Sequence, residues 1–262
     1  MLSRFLYDLI GLRIFPTKRT PSTLINSLTK ELSPIAIKQQ LIRLGSLGDG
    51  GYLLPKDFEN IEACFSPGVA MDSSFEHQLA EKGIKIFLAD YSVDSPPSAH
   101  RNFSFCKKYI GSYSDDHFIT LDDWVSSSIS SKDSDLILQM DIEGSEYETI
   151  LSVSEQTLSR FSIILIEFHG LHNLWSYPFF KLASSCFKKL LRKHSCVHIH
   201  PNNTRGVVSI EGIEIPKLME FTFYRRDRVE KADEKLTFPH PLDSDNTNKP
   251  SIALPKCWAN YC

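Results

Sequence analysis

The sequence predicts an α/β domain with a mainly parallel β-sheet, helices on both faces and a helical N-terminal extension. Three observations carry this expectation. From about residue 41, short apolar runs alternate with amphipathic stretches, the pattern of repeated strand–helix units. Tight hairpin signals are few early on, as suits parallel strands joined by crossovers. With 262 residues, 42% of them hydrophobic, the chain can bury a sizeable core.

Residues 1–40 read as the helical extension. The start, MLSRFLYDLIGLRIFP, is apolar and basic, but Asp8 interrupts what would be a signal-peptide core. It has two readings: a helix lying at a membrane surface, giving peripheral membrane contact, or a helix packed on the domain, which is the simpler one. Thr20 can cap a helix with Pro21 in its first turn; Leu24, Ile25, Leu28 and Leu32 then share one face, and Pro34 ends it.

Residues 41–232 form the main domain. The run Asp49-Gly50-Gly51-Tyr52 signals a turn before a short strand, and its glycines could bring backbone close to a ligand. Candidate strands cover residues 62–66, 85–90, 103–110, 136–141, 162–168 and 197–200, and a late strand over 221–225 is expected to pair antiparallel. Helices fit between them at 73–82, 121–128, 146–158 and 175–193. Residues 233–262 carry Pro239, Pro241, Pro250 and Pro255 among polar residues and read as an extended segment packed on the domain.

Composition excludes some classes. The 29 Lys and Arg against 32 Asp and Glu give a net charge of −3 and no basic stripe, so no nucleic-acid partner is expected; a small molecule or neutral glycan fits better. None of the six cysteines forms a C-x-x-C pair, which argues against a zinc knuckle. Cys64, Cys106 and Cys196 lie in apolar runs and read as buried thiols, so a reduced, cytoplasmic setting is expected. No apolar run reaches the length of a membrane span. Nothing in the sequence fixes the oligomeric state.

Ligands of such sheets bind beyond the carboxyl ends of the strands, so the residues after each predicted strand are the candidates. After the first comes Gly68, whose freedom lets a turn approach a ligand, then Asp72, and a capping-box pair, Ser73 and Glu76. This is either a nucleotide-binding loop without the full G-x-G-x-x-G or an ordinary strand–helix loop. Asp90 ends the second strand 22 residues after Gly68, the separation at which an acid accepts the hydroxyls of a ribose; the plainer reading is a surface acid. The most specific segment is Asp141-Ile142-Glu143-Gly144-Ser145-Glu146. Here an apolar strand delivers Asp141 and Glu143 at its end, where carboxylates need partners, solvent or a cleft. Ser145 and Glu148 have capping-box spacing, and Glu146 and Glu148 read as charges favouring a helix N-terminus.

The D-I-E-G-S-E run, with T-L-D-D-W at residues 120–124 before it and I-L-I-E-F-H at 164–169 after it, resembles the FkbM-type family of S-adenosylmethionine-dependent methyltransferases over roughly residues 41–226. Arg43-Leu44-Gly45 through Tyr52, and His198 to Asn203, resemble a subgroup found among bacterial surface-glycan genes. The resemblance implies a Rossmann-like, class I methyltransferase-like fold, S-adenosyl-L-methionine as methyl donor, and O-methylation, often of a sugar hydroxyl on a saccharide or glycan precursor; with the cysteine reading and the N-terminal stretch, the expected location is the cytoplasm or the inner face of the membrane. By position it places Gly68 at the methionine end of the cofactor, Asp90 at its ribose and Asp141 below the transferring methyl, with Asp72 a further contact. Asp122 either touches the adenine side or only caps the helix begun at Thr120. The first loop has one glycine where many methyltransferases have two or three.

Asp141, Glu143 and His169, the last at the end of the fifth strand, are the candidate catalytic groups, with His198 and His200 nearby. Two mechanisms fit: a histidine or carboxylate takes the hydroxyl proton, or carboxylates and histidine hold a divalent metal that acidifies it. The metal-free version is preferred because no tight motif such as H-E-x-x-H is present. Two other classes compete. One is a non-catalytic module scaffolding a glycan-assembly complex. The other is a nicotinamide-dependent oxidoreductase, which the missing G-x-G-x-x-G and the lack of a Tyr-x-x-x-Lys pair count against.

Overall fold

A computed structural model describes residues 17–69 and 71–259. The readings of residues 1–16, the membrane-surface helix included, lie outside the described residues.

Seven strands make the main sheet: β3 (Ile61–Pro67), β4 (Lys85–Ala89), β5 (Phe103–Cys106), β8 (Asp135–Met140), β9 (Phe161–His169), β10 (His194–Pro201) and β13 (Leu218–Arg225). They lie in the order β10-β13-β9-β8-β3-β4-β5, and β11 (Val207–Ile210) and β12 (Ile213–Pro216) pair in a separate two-stranded hairpin. Neighbours from β5 to β9 run parallel, and β13 is antiparallel to both β9 and β10, as the sequence predicts. This is the Rossmann-like α/β fold expected.

Strand residues alternate between two apolar layers, which is why the runs read as continuous hydrophobic segments. Ala63, Phe65, Leu136, Leu138, Met140, Ile164, Ile166 and Phe168 enter one layer. It is completed by helices α1 (Ser22–Glu31), α3 (Leu121–Ser128), α4 (Glu146–Ser152), α5 (Glu155–Arg160) and α6 (Tyr177–Lys193). Cys64, Ile137, Ile163 and Leu165 enter the other, beneath α2 (Ser74–Ala80) and a hairpin of β1 (Leu41–Leu44) and β2 (Tyr52–Pro55). The D-G-G-Y turn closes that hairpin, with Leu44 opposite Tyr52. On this second face the strands turn polar toward their carboxyl ends, at Ser66, Gln139 and Glu167.

Several local expectations are corrected. Residues 103–110 are not one strand: the chain breaks after Cys106, and β6 (Tyr109–Gly111) leaves the sheet to pair with β7 (Phe118–Thr120). The helix expected over 146–158 is two, because Val153 is extended (ψ 140) and Ser154 starts a new helix by accepting from the Thr157 amide. Thr20 is not the cap of α1; Pro21 holds the N-cap position without a side-chain bond. Ile25, Leu28 and Leu32 are buried as expected, whereas Leu24 is exposed. Neither Ser73 nor Ser145 makes a capping bond. Cys64 and Cys196 are buried, Cys106 only half-buried.

The C-terminal segment has no long element, yet it is fixed. Trp258 is fully buried, with its ring 5.9 Å from that of Phe221. Asp243, whose side chain is 4% exposed, accepts a hydrogen bond from His198 Nε2 at 2.8 Å. Among the described residues no helix is long and apolar enough to cross a membrane.

Candidate active site

At the carboxyl ends of β3, β4 and β8 three chain segments meet. The Gly68 amide donates to Ala89 O at 3.0 Å and the Asp141 amide to Pro67 O at 3.4 Å. Gly68 has φ +89, and a Cβ there would stand 1.7 Å from the Asp141 carbonyl oxygen. Only glycine permits this approach.

The meeting point borders a cavity of about 440 Å³ whose lining includes Gly68, Asp90, Tyr109, Phe118, Asp141 and Glu143. The structure therefore brings Gly68, Asp90 and Asp141 to one space. Asp90 Oδ2 accepts from the Val69 amide at 3.0 Å, and Oδ1 from the Ser92 amide and hydroxyl at 2.7 and 2.6 Å. These bonds fix the carboxylate and leave Oδ2 one further lone pair. The departure of β6 from the sheet has a consequence here: it sets Tyr109 and Ile110 along this wall.

Gly68 and Asp141 also border a smaller recess lined by Asp49, Gly50, Tyr52, Asp72 and Glu76. Asp72 is held by accepting from the Ser74 amide and hydroxyl, both at 2.9 Å. Beneath the recess, Ser66 Oγ lies 2.6 Å from Glu76 Oε1 and 2.6 Å from Gln139 Oε1. The Ser66 hydroxyl, with one proton to give, lies between these two acceptors. Burial pushes the Glu76 carboxyl above its usual range. Gln139 Nε2 then donates to Tyr52 Oη at 3.1 Å.

On the other side of Glu143, a groove of about 420 Å³ is lined by Glu143, His169, His172, Arg205 and Lys217. His169 Nδ1 lies 3.0 Å from Glu146 Oε1, which also accepts from the Gly144 amide at 2.9 Å. Nδ1 is therefore the protonated nitrogen, and Nε2 faces Glu143 Oε2 at 3.4 Å and Asp141 Oδ1 at 3.9 Å. Glu146 is fully buried and does more than favour a helix end: it orders the turn at Glu143 (φ 55) and Gly144, and it aims the imidazole. Glu148 is exposed, as its reading requires. Burial raises the Asp141 carboxyl to about 7, against the pull of His169 and with the help of Glu143 and Glu146. Burial alone would lower His169, but the Glu146 hydrogen bond and the surrounding carboxylates raise it.

Across the sheet the registers align a row of titratable groups. Met140 pairs with Ile166, which sets Asp141 beside Glu167; Glu167 is opposite Glu220, and Glu220 opposite His200. Glu167 Oε1 accepts from Asn202 Nδ2 at 3.0 Å, and Glu220 Oε1 from Asn246 Nδ2 at 2.8 Å. Burial, with Asp141 and Glu220 close by, pushes the Glu167 carboxyl well up. Asp141, Glu167 and His169 each offer one ligand atom within 4.8 Å of the others.

Two expectations are revised. Asp122 is not at this site: its oxygens accept from the Ser154 amide at 2.8 Å and hydroxyl at 2.6 Å, tying α3 to α5 beside a separate surface groove. Its rival reading fails as well, since the Thr120 side chain caps α3 by accepting from the Asp123 amide. His198 and His200 are turned to Asp243 rather than to His169. The structure adds Glu167 and Gln139, which the sequence marks only as a charged residue and an amide inside otherwise apolar strands, on the face of His169 and Asp141.

Residues 69–191 match the family model described as Methyltransferase FkbM domain, so the resemblance read from the D-I-E-G-S-E run holds over that span. A solved structure titled as that of a fibrillarin/Nop5p complex aligns with 64% of this chain and 74% of its own, at 10% identity and a TM-score of 0.36. No curated protein matches the sequence significantly.

Proposed function

We propose that this chain, whose residues 69–191 match the FkbM methyltransferase domain model, transfers a methyl group from S-adenosyl-L-methionine to a hydroxyl of a saccharide or glycan precursor. The observation that carries the reading is the shared wall: Gly68, Asp90, Asp141 and Glu143 border one cavity, and Glu143 also borders the groove that holds His169. A donor on one side and an acceptor on the other meet at Asp141 and Glu143. The residues suit this donor. Asp90 Oδ2 keeps a lone pair for a ribose hydroxyl, Tyr109 and Phe118 line the space with aromatic surface suited to a base, and the bare Gly68 lets the ends of β3 and β8 close on this one cavity.

When bound, S-adenosylmethionine supplies an electrophilic methyl group on sulfur, and the electron pair of the broken S–C bond stays on sulfur as the acceptor C–O bond forms. The protein must hold the two atoms about 3 Å apart and in line, which contributes more than strong acid–base help. Glu143, the exposed carboxylate between the two spaces, takes the hydroxyl proton. Arg205 and Lys217 give the groove a cationic lip that suits an oxygen-rich acceptor.

The test is transfer of labelled methyl from S-adenosylmethionine to a panel of mono- and oligosaccharides. A methylated saccharide is expected from the wild type, with at least a ~100-fold loss of kcat/KM in Asp141→Ala, a loss of about 3 kcal/mol in transition-state stabilisation. Full transfer by Asp141→Ala contradicts this assignment of the site.

A further inference from the structure

We infer that Asp141, Glu167 and His169 form a binding site for a divalent cation, of the oxygen-preferring kind that also accepts imidazole, with Mn²⁺ the best match. This deepens the proposed function and rests on that reading of the site.

Four observations support it. The three ligand atoms lie within 4.8 Å of one another, and His169 Nε2 is 3.9 Å from Asp141 Oδ1. Around a six-coordinate ion with bonds of about 2.1 Å, ligand atoms sit about 3 to 4.2 Å apart, so small side-chain rotations close the site. Next, Asp141 Oδ1 and Glu167 Oε2 are both buried from solvent without a hydrogen-bond partner. Glu167 is only 3% exposed, and among the described residues it has no salt bridge. A buried carboxylate oxygen with nothing to donate to it is costly, and a cation removes that cost. Third, the opposite face of the imidazole is already engaged: Nδ1–H donates to the buried Glu146, the arrangement that fixes a ligating histidine with its Nε2 lone pair outward. Finally, Asn202 binds the other oxygen of Glu167 and orients the carboxylate, as an outer partner of a ligand does.

The chemistry follows from place. Asp141 faces the donor cavity and His169 the groove, so the ion sits between them. Three protein ligands leave positions where an acceptor hydroxyl replaces water. Bound there, the hydroxyl becomes more acidic and gives its proton to Glu143, which lies outside the ligand set; its oxygen then attacks the methyl carbon while the S–C pair remains on sulfur. Two carboxylates and one imidazole match Mn²⁺ or Mg²⁺ better than a thiol-seeking metal.

The test uses the full chain, stripped with EDTA, and follows free Mn²⁺ by electron paramagnetic resonance. Loss of the aqueous signal at one Mn²⁺ per chain is expected. Glu167→Gln and His169→Asn each weaken binding by at least ~10-fold while melting cooperatively. A wild type that leaves the signal unchanged overturns the proposal, as does equal binding by the wild type and both variants. Titration with S-adenosylhomocysteine in EDTA separates the two claims. Binding of that ligand without Mn²⁺ binding removes the cation site and leaves the methyltransferase reading standing; the reverse removes the donor reading and keeps the cation site.

Discussion

Gly68 shows how much rests on single atoms. Its positive φ and its contact with the Asp141 carbonyl leave no space for a methyl group. Gly68→Ala is expected to cost roughly 2–4 kcal/mol of stability, from left-handed strain and the forced separation of two strand ends. It should also abolish S-adenosylhomocysteine binding; a variant that melts and binds like the wild type in calorimetry would refute the close-approach argument. The glycine could be read from the sequence because it follows an apolar strand. Its reason could not, since the obstructing carbonyl comes from residue 141. Glu146 illustrates the opposite case: in sequence it is one more acid at a helix start, and only the fold reveals that it is buried against His169. Glu167 was hidden by its apolar neighbours, although its spacing of two from His169 already placed both on one strand face.

Elements were legible where burial imposes a pattern, and less so where the chain bends for other reasons. The α3 boundaries expected at 121–128 match the structure, as does the antiparallel last strand. The break between β5 and β6 was not legible, because both halves carry apolar residues: one pairs at the edge of the sheet and the other lines a cavity. The link from the C-terminal segment to β10 is a further element-scale device. Burial alone would raise the Asp243 carboxyl, but the His198 hydrogen bond and nearby His200 hold it well below the usual range. Burial alone would lower His200, yet the Asp243 carboxylate and Glu220 raise it. The stability from Asp243 is therefore complete above its unfolded pKa of about 3.9 and lost as pH falls through the depressed folded value. That from His200 is complete below about 6.5 and lost as pH rises through the elevated one. Asp243→Asn should lower stability by about 2–3 kcal/mol, with the largest gap from the wild type between about pH 4 and 6.5. Melting temperatures from pH 3 to 8 check this, and a gap independent of pH would contradict it.

At the scale of the whole molecule, the strand order sets the two spaces side by side. The parallel strands β3, β4 and β8 end around the cavity proposed for the donor, while β9 and β13 carry the polar row and the groove beside it. The alternation of strands and helices made this architecture readable from sequence. The convergence of Asp141, Glu167 and His169 needed the register between β8 and β9, which no local pattern encodes. A ligand that binds only the folded chain must stabilise all of it. At a hundredfold excess over its dissociation constant, S-adenosylhomocysteine should add about 2.7 kcal/mol and raise the melting temperature by roughly 5–10 °C, an effect NAD should not reproduce. The most direct measurement is isothermal titration of S-adenosylhomocysteine into the wild type and Asp90→Ala. One site per chain is predicted, weakened about 10- to 100-fold by the loss of charge-assisted hydrogen bonds to the ribose. Absence of binding to the folded wild type, or equal affinity in the two proteins, would contradict the account.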